Sequence, residues 1–204
     1  MIREFKPKKI IEIGSGISTV CMQNALNVKK NNNYEINCIE PFPYPALKKL
    51  ASMDKNIKIV EKQCQSVDLK FFKSLNENDL LFIDSTHTVK PGSEVNYLIL
   101  EVLPRLNPGV IVHFHDIFFP FDYQRNVLKT YFHWSESTLL HAYLKFNSHA
   151  KILVSLSLLH YDAKDELIKI FPGYTPQEDF FGLSNHKNNF PKEHFPSSFF
   201  FKIV

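Results

Sequence analysis

Two clusters of polar residues, each closing a short apolar run, hold the groups of this chain best suited to chemistry. Leu80 to Ile83 ends abruptly in Asp84-Ser85-Thr86-His87, and Val110 to Val112 runs into His113-Phe114-His115-Asp116. Carboxylate and imidazole at adjacent strand ends allow more than one chemistry. Asp84, His115 and Asp116, with His87 beside them, offer the oxygen and nitrogen ligands of a divalent cation. Asp84, His87, His115 and Asp116 equally make a metal-free acid-base group, in which a histidine titrating near neutrality removes a substrate proton. A third alternative has them only hydrogen-bonding a cofactor and the nearby loops. Strand alternation puts His113 and His115 on one face, and His113 is read as a core histidine.

A second constellation lies near the N-terminus, in Ile10-Ile11-Glu12-Ile13-Gly14-Ser15-Gly16-Ile17-Ser18-Thr19. A β-branched run breaks into two glycines, which permit a tight turn with bare backbone. Ser18 and Thr19 then supply capping oxygens for a helix reaching about Asn27. Strand, glycine turn and helix start together form a nucleotide-sized site, because free amides and the positive helix end face the ligand. Glu40, closing the next strand, stands where such sites hold a ribose, and Gln63, Cys64 and Gln65 follow the third strand beside the place of an adenine ring.

The elements needed to position these groups alternate. Strands are expected over residues 9–13, 34–39, 57–60, 80–83, 110–116 and 151–156, and helices over residues 45–53, 68–73, 93–106 and about 135–147. Ser93 caps the third of these helices, and Asn107-Pro108-Gly109 ends it. The aromatic loop at residues 118–123 lines or covers an acceptor pocket in this reading. Residues 161–197 are the least regular part, a lid, binding insert or connector with one helix near residues 165–170. Residues 198–204 close the chain as a strand that must enter the sheet antiparallel. The class is therefore α/β with a mainly parallel sheet.

The chain of 204 residues suits one domain. Its 44% hydrophobic and 22% charged content speaks against disorder and coiled coil. A net charge of +3, with the basic residues scattered, argues against nucleic acid as a partner. No apolar run approaches the roughly 20 residues that span a membrane, and the charged first residues lack a signal sequence. A cytoplasmic protein without a membrane partner is expected. Cys21, Cys38 and Cys64 form no Cys-x-x-Cys pair and are read as buried thiols in a reducing compartment. Only about eight residues precede the first strand, which suggests either a minimal domain or one whose N-terminal cover is missing.

Together these residues resemble the class I, Rossmann-like S-adenosylmethionine-dependent methyltransferases, and more narrowly methyltransferase domain family 24. Four blocks carry the likeness: the stretch from Glu12 to Thr19, Phe82-Ile83-Asp84-Ser85-Thr86-His87, the run from Pro108 to Ile117, and Trp134-Ser135-Glu136. The resemblance implies a three-layer α/β/α sandwich, its seven-stranded sheet mostly parallel with an antiparallel last strand, as a single domain over residues 1–204. It implies S-adenosyl-L-methionine as cofactor. By position, Glu12, Gly14 and Gly16 would hold the methionine part, with Ser15, Ser18 and Thr19 in the same turn. Glu40 would hold the ribose hydroxyls, and Asp84 would begin the catalytic edge. Relatives that O-methylate sugars and macrolides bind magnesium through acids ending the fourth and fifth strands, so Mg2+ at Asp84, His115 and Asp116 is the corresponding expectation. Here His115-Asp116 stands where those relatives carry two acidic or amide groups.

The function expected is O-methylation of a small polar or sugar-like acceptor. One rival is a non-catalytic or truncated cofactor-binding domain of a larger glycan-processing protein. An NAD-dependent oxidoreductase is the other, although it expects glycine where Thr19 stands and has no use for Glu12. Oligomeric state is left open, a homodimer being one option.

Overall fold

The computed structural model describes residues 1–27, 33–123, 131, 133–176 and 195–204. Seven strands form one sheet in the order β3-β2-β1-β4-β5-β7-β6. They are β1 (Lys9–Ile13), β2 (Glu35–Ile39), β3 (Ile57–Val60), β4 (Leu80–Ile83), β5 (Ile111–His115), β6 (Ala150–Ser155) and β7 (Ser198–Ile203). The first five pair in parallel, whereas β7 runs antiparallel to both β5 and β6. This is the three-layer α/β/α architecture expected, with its last strand reversed.

Most side chains of β1, β2, β4 and β5 are apolar because both faces of these strands are covered. One face carries Ile11, Ile13, Leu81, Ile83, Val112 and Phe114. Against it pack α4 (Leu69–Phe72), α5, which opens at Glu94–Asn96 and widens over Tyr97–Val102, and α6 (Glu136–Leu144). The other face carries Ile10, Ile36, Cys38, Leu80, Phe82 and Ile111. It is covered by α1 (Ile2–Phe5), α2 (Ile17–Asn27) and α3 (Pro45–Met53). Between α1, α2 and strands β4, β5 and β7 an apolar cavity of about 300 Å³ is left, with His113 and His115 among its walls.

Register determines where chemistry can occur. Ile13 is level with Ile39 and Ile83, and Ile83 with Phe114, so Gly14, Glu40, Asp84 and His115 all emerge along one edge. The Asp84 amide continues the ladder by donating to the Ile13 carbonyl at 2.9 Å.

Several expectations need correction. The sixth strand ends at Ser155, not Leu156: α7 (Leu156–Asp162) begins at once, with the Ser155 hydroxyl accepting from the Leu158 amide, followed by α8 (Lys164–Ile170). Helix α6 stops at Leu144, a turn earlier than its periodicity suggested, and Phe146 takes a left-handed conformation at φ 59°. Cys38 and Cys64 are buried thiols, but Cys21 lies on the exposed side of α2. Much of the irregular segment, residues 177–194, falls outside the described residues. No helix among the described residues is long and apolar enough to cross a membrane.

Candidate active site

The glycine turn is built for close approach. Gly14 sits at φ 76°, and a Cβ there would lie 1.9 Å from the Asp84 carbonyl oxygen, so only glycine lets the turn fold over the end of β4. Gly16 serves another neighbour: a Cβ there would meet the Tyr44 hydroxyl at 2.7 Å. Tyr44 is a contributor that sequence reasoning passed over.

Glu12 is completely buried on β1, beneath the turn. Ser18 Oγ and Thr19 Oγ1 each donate to its carboxylate at 2.6 Å, and Cys38 Sγ donates at 3.4 Å. Burial raises the Glu12 pKa, and the two hydroxyls oppose that rise. Thr19 Oγ1 also accepts from the Gly16 amide at 3.1 Å. Thr19, fully buried, therefore ties the carboxylate to the turn, and both Glu12 and Thr19 face the interior. The Ser15 hydroxyl, by contrast, is buried and has no hydrogen-bond partner of acceptable geometry.

Along the ends of β1, β2 and β4 runs a cavity of about 430 Å³, a suitable size for a small-molecule cofactor. Gly14, Glu40, Asp84, Ser85 and the pair Gln63 and Gln65 line it. Glu40 is fixed by accepting from the Phe42 amide at 2.9 Å. A bare-backbone turn, a carboxylate at the β2 end and two nearby glutamine amides fit a nucleoside with an amino-acid tail.

The second half of the site adjoins Asp84. His87 Nε2 lies 3.6 Å from Asp84 Oδ1 and 3.7 Å from Asp116 Oδ2, while His87 Nδ1 meets Glu136 Oε2 at 2.8 Å. His115 Nδ1 lies 3.3 Å from Asp116 Oδ1 and 3.7 Å from Asp84 Oδ1. Asp116 Oδ1 accepts from Ser197 Oγ at 2.8 Å. The four sequence candidates thus converge, with Glu136 as a fifth member that the sequence left without a role. His87 and Asp116 hold left-handed backbones, φ 58° and 55° respectively, an uncommon conformation for residues other than glycine. His113 stands apart, stacked on Phe200 with ring centres 3.9 Å apart. Burial pushes its pKa down to about 3, so it is a neutral core ring.

Charge separates the two site histidines. Burial disfavours the His87 cation, but Asp84, Glu136 and Asp116 together outweigh it and raise the pKa to about 9. At neutral pH His87 is therefore an imidazolium and cannot accept a proton. His115 is shifted upward chiefly by Asp116, against the opposing effect of burial. Asp116, despite its burial, is held below the ordinary carboxylate range by His115 and Ser197.

Asp84, His87 and Asp116 bring three ligand atoms within 4.8 Å of one another. The set does not fit a hard cation. Only two of the three ligand atoms are carboxylate oxygens, whereas Mg2+ prefers an oxygen shell, and the same holds for Asp84, His115 and Asp116.

The aromatic loop contributes less wall than expected. Phe118 is buried against Phe195 and Tyr123, and Phe119 packs edge-on to Phe199. It is Trp134, 4.6 Å from the His87 ring, that flanks the acid-imidazole group.

Residues 11–117 match methyltransferase domain family 24. The chain belongs to this family, within the class I S-adenosylmethionine-dependent methyltransferases. A candidate rRNA methylase from Clostridium thermocellum shares the fold with TM-score 0.53 at 11% identity, covering 100% of this chain and 91% of the other. A candidate methyltransferase from Thermobifida fusca shares it with TM-score 0.51 at 12% identity, covering 99% and 76%. An uncharacterised protein of Archaeoglobus fulgidus is 35% identical over 77 residues, 38% of this methyltransferase-family chain, which thus spans about a third (35%) of that relative's length.

Proposed function

We propose that this methyltransferase-family chain transfers the methyl group of S-adenosyl-L-methionine to a hydroxyl oxygen of a small polar, sugar-like acceptor. The observation that carries the reading is that Asp84 belongs both to the cofactor-sized cavity and to the acid-imidazole group. Gly14 and Ser15 receive the amino-acid end over bare backbone, Glu40 accepts from the ribose hydroxyls, and Gln63 and Gln65 flank the base. The bound sulfonium supplies an electrophilic methyl group and departs as a neutral thioether.

The protein's remaining tasks are alignment and removal of one proton. His115, whose side chain is 41% exposed against 6% for His87, takes the hydroxyl proton as the new carbon–oxygen bond forms. Asp84 and Asp116 stabilise the resulting imidazolium. His87, already charged, favours the oxygen's developing negative charge.

Tritium-labelled methyl transfer to methyl α-glucoside, myo-inositol and catechol tests this. Product with a hydroxylated probe supports it, and labelled product on none of them contradicts it. At cofactor concentrations that saturate the variant, Asp84→Ala should lower turnover at least about 100-fold, the usual scale of acid-base machinery. Unchanged turnover in that variant would defeat the catalytic assignment. Because His115 retains its proton above the ordinary 6.5, the rate should rise with pH around a midpoint above that value. A midpoint at or below 6.5 in the pH-rate profile would exclude His115 as the base.

A further inference from the structure

Glu136 is a buried carboxylate held at both ends. It opens α6, is fully buried, and uses both carboxylate oxygens: Oε2 on His87 Nδ1 at 2.8 Å and Oε1 on Ser85 Oγ at 3.0 Å. The His87 main chain is tied to the same turn of helix, its carbonyl accepting from the amides of Ser135 at 2.7 Å and Glu136 at 3.1 Å. Those bonds accompany the left-handed backbone of His87, and Trp134 closes the side of the ring at 4.6 Å. Ring and backbone of His87 are thus held by one short stretch of chain 49 residues away in sequence.

A buried pair that served only the core would close upon itself. Here one ring nitrogen is left for other use: Nε2 points toward Asp84 and Asp116 at 3.6 and 3.7 Å, both longer than a hydrogen bond. The gap between those carboxylates and Nε2 suits a bridging oxygen. Glu136 also decides the ring's proton arrangement, because a carboxylate at Nδ1 requires a hydrogen there.

We infer that Glu136 is a positioning residue, which fixes the His87 ring so that its Nε2–H is presented to the acceptor oxygen between Asp84 and Asp116. The inference rests on the methyl-transfer reading for the identity of that oxygen, but its geometric content can be tested without it. Ser85 is the brace: by occupying Oε1 it stops the Glu136 carboxylate from rotating away from Nδ1.

The full chain is compared with Glu136→Gln, Glu136→Asp and Ser85→Ala, each first shown to be folded by near-ultraviolet circular dichroism. Long-range nitrogen-15 spectra should show both His87 ring nitrogens protonated at pH 7.5 in the parent chain. In Glu136→Gln the Nδ1 proton signal should be lost or exchange at least tenfold faster, with Glu136→Asp restoring part of it and Ser85→Ala giving a smaller change in the same direction. With whichever of the three hydroxylated probes turns over, Glu136→Gln should lower kcat at least tenfold and leave KM for S-adenosylmethionine within threefold. Unaltered His87 signals or an unaltered kcat in the folded Gln variant would overturn the inference. If the parent chain turns over no probe, the methyl-transfer reading falls, and the His87 signals alone decide the positioning role. Should Glu136→Gln fail to fold, Ser85→Ala carries the same comparison.

Discussion

Replacing Gly14 with alanine is expected to abolish measurable cofactor binding and to destabilise the fold by about 3 kcal/mol or more. Two costs coincide there. The φ of 76° disfavours any side chain, and the new Cβ would stand 1.9 Å from the Asp84 carbonyl oxygen. That oxygen belongs to backbone held by the bond from the Asp84 amide to the Ile13 carbonyl, so it cannot withdraw without breaking the sheet edge. Gly92 supplies the control. It has nearly the same φ, 77°, but a Cβ there meets nothing within 4 Å, so Gly92→Ala should cost only about 1 kcal/mol. Denaturant unfolding of both variants measures the difference, and equal losses would contradict the close approach of turn and strand.

Stability should fall as pH rises from 6.5 through about 9. His87 ordinarily titrates at 6.5 and in the fold at about 9, raised by Asp84, Glu136 and Asp116 against the opposing effect of burial. The folded state thus holds a proton that the unfolded chain gives up. The stabilisation is complete below 6.5 and is lost by the time pH has passed 9, with an upper bound of about 3 kcal/mol. His113 acts with the opposite sign: its depressed pKa of about 3 makes folding less favourable as pH falls below 6.5. Urea unfolding across this range should show the alkaline decline in the parent chain and a much flatter curve in His87→Gln. A decline of equal size in that variant would place the effect elsewhere.

The parts of the fold legible in the sequence are those set by local periodicity. β1, β4 and β5 show as apolar runs because both faces are covered, and the polar residues at their ends mark the edge where chemistry gathers. What single residues could not show is the direction of a side chain within a turn. Ser18 and Thr19 have the right hydroxyls for a helix start, yet both turn inward to Glu12, and hydroxyl type alone does not separate capping a helix from holding a carboxylate. Glu136 stood in a recognised block but lay 49 residues from His87, and only the fold, which brings the start of α6 to the loop after β4, joins them. Helix α7 was hidden because Leu156 to Leu159 continues the apolar content of β6. The informative signal there was Ser155, an N-capping residue at the change of direction.

The central claim is that the turn from Gly14 to Gly16 and the Asp84 edge bind one sulfonium nucleoside. Calorimetric titration with S-adenosylmethionine, run beside NAD, tests it most directly. Saturable binding of about one molecule per chain is expected for S-adenosylmethionine, absent in Gly14→Ala and absent for NAD in the parent chain. No saturable heat with the sulfonium, or tighter binding of the dinucleotide, would contradict it.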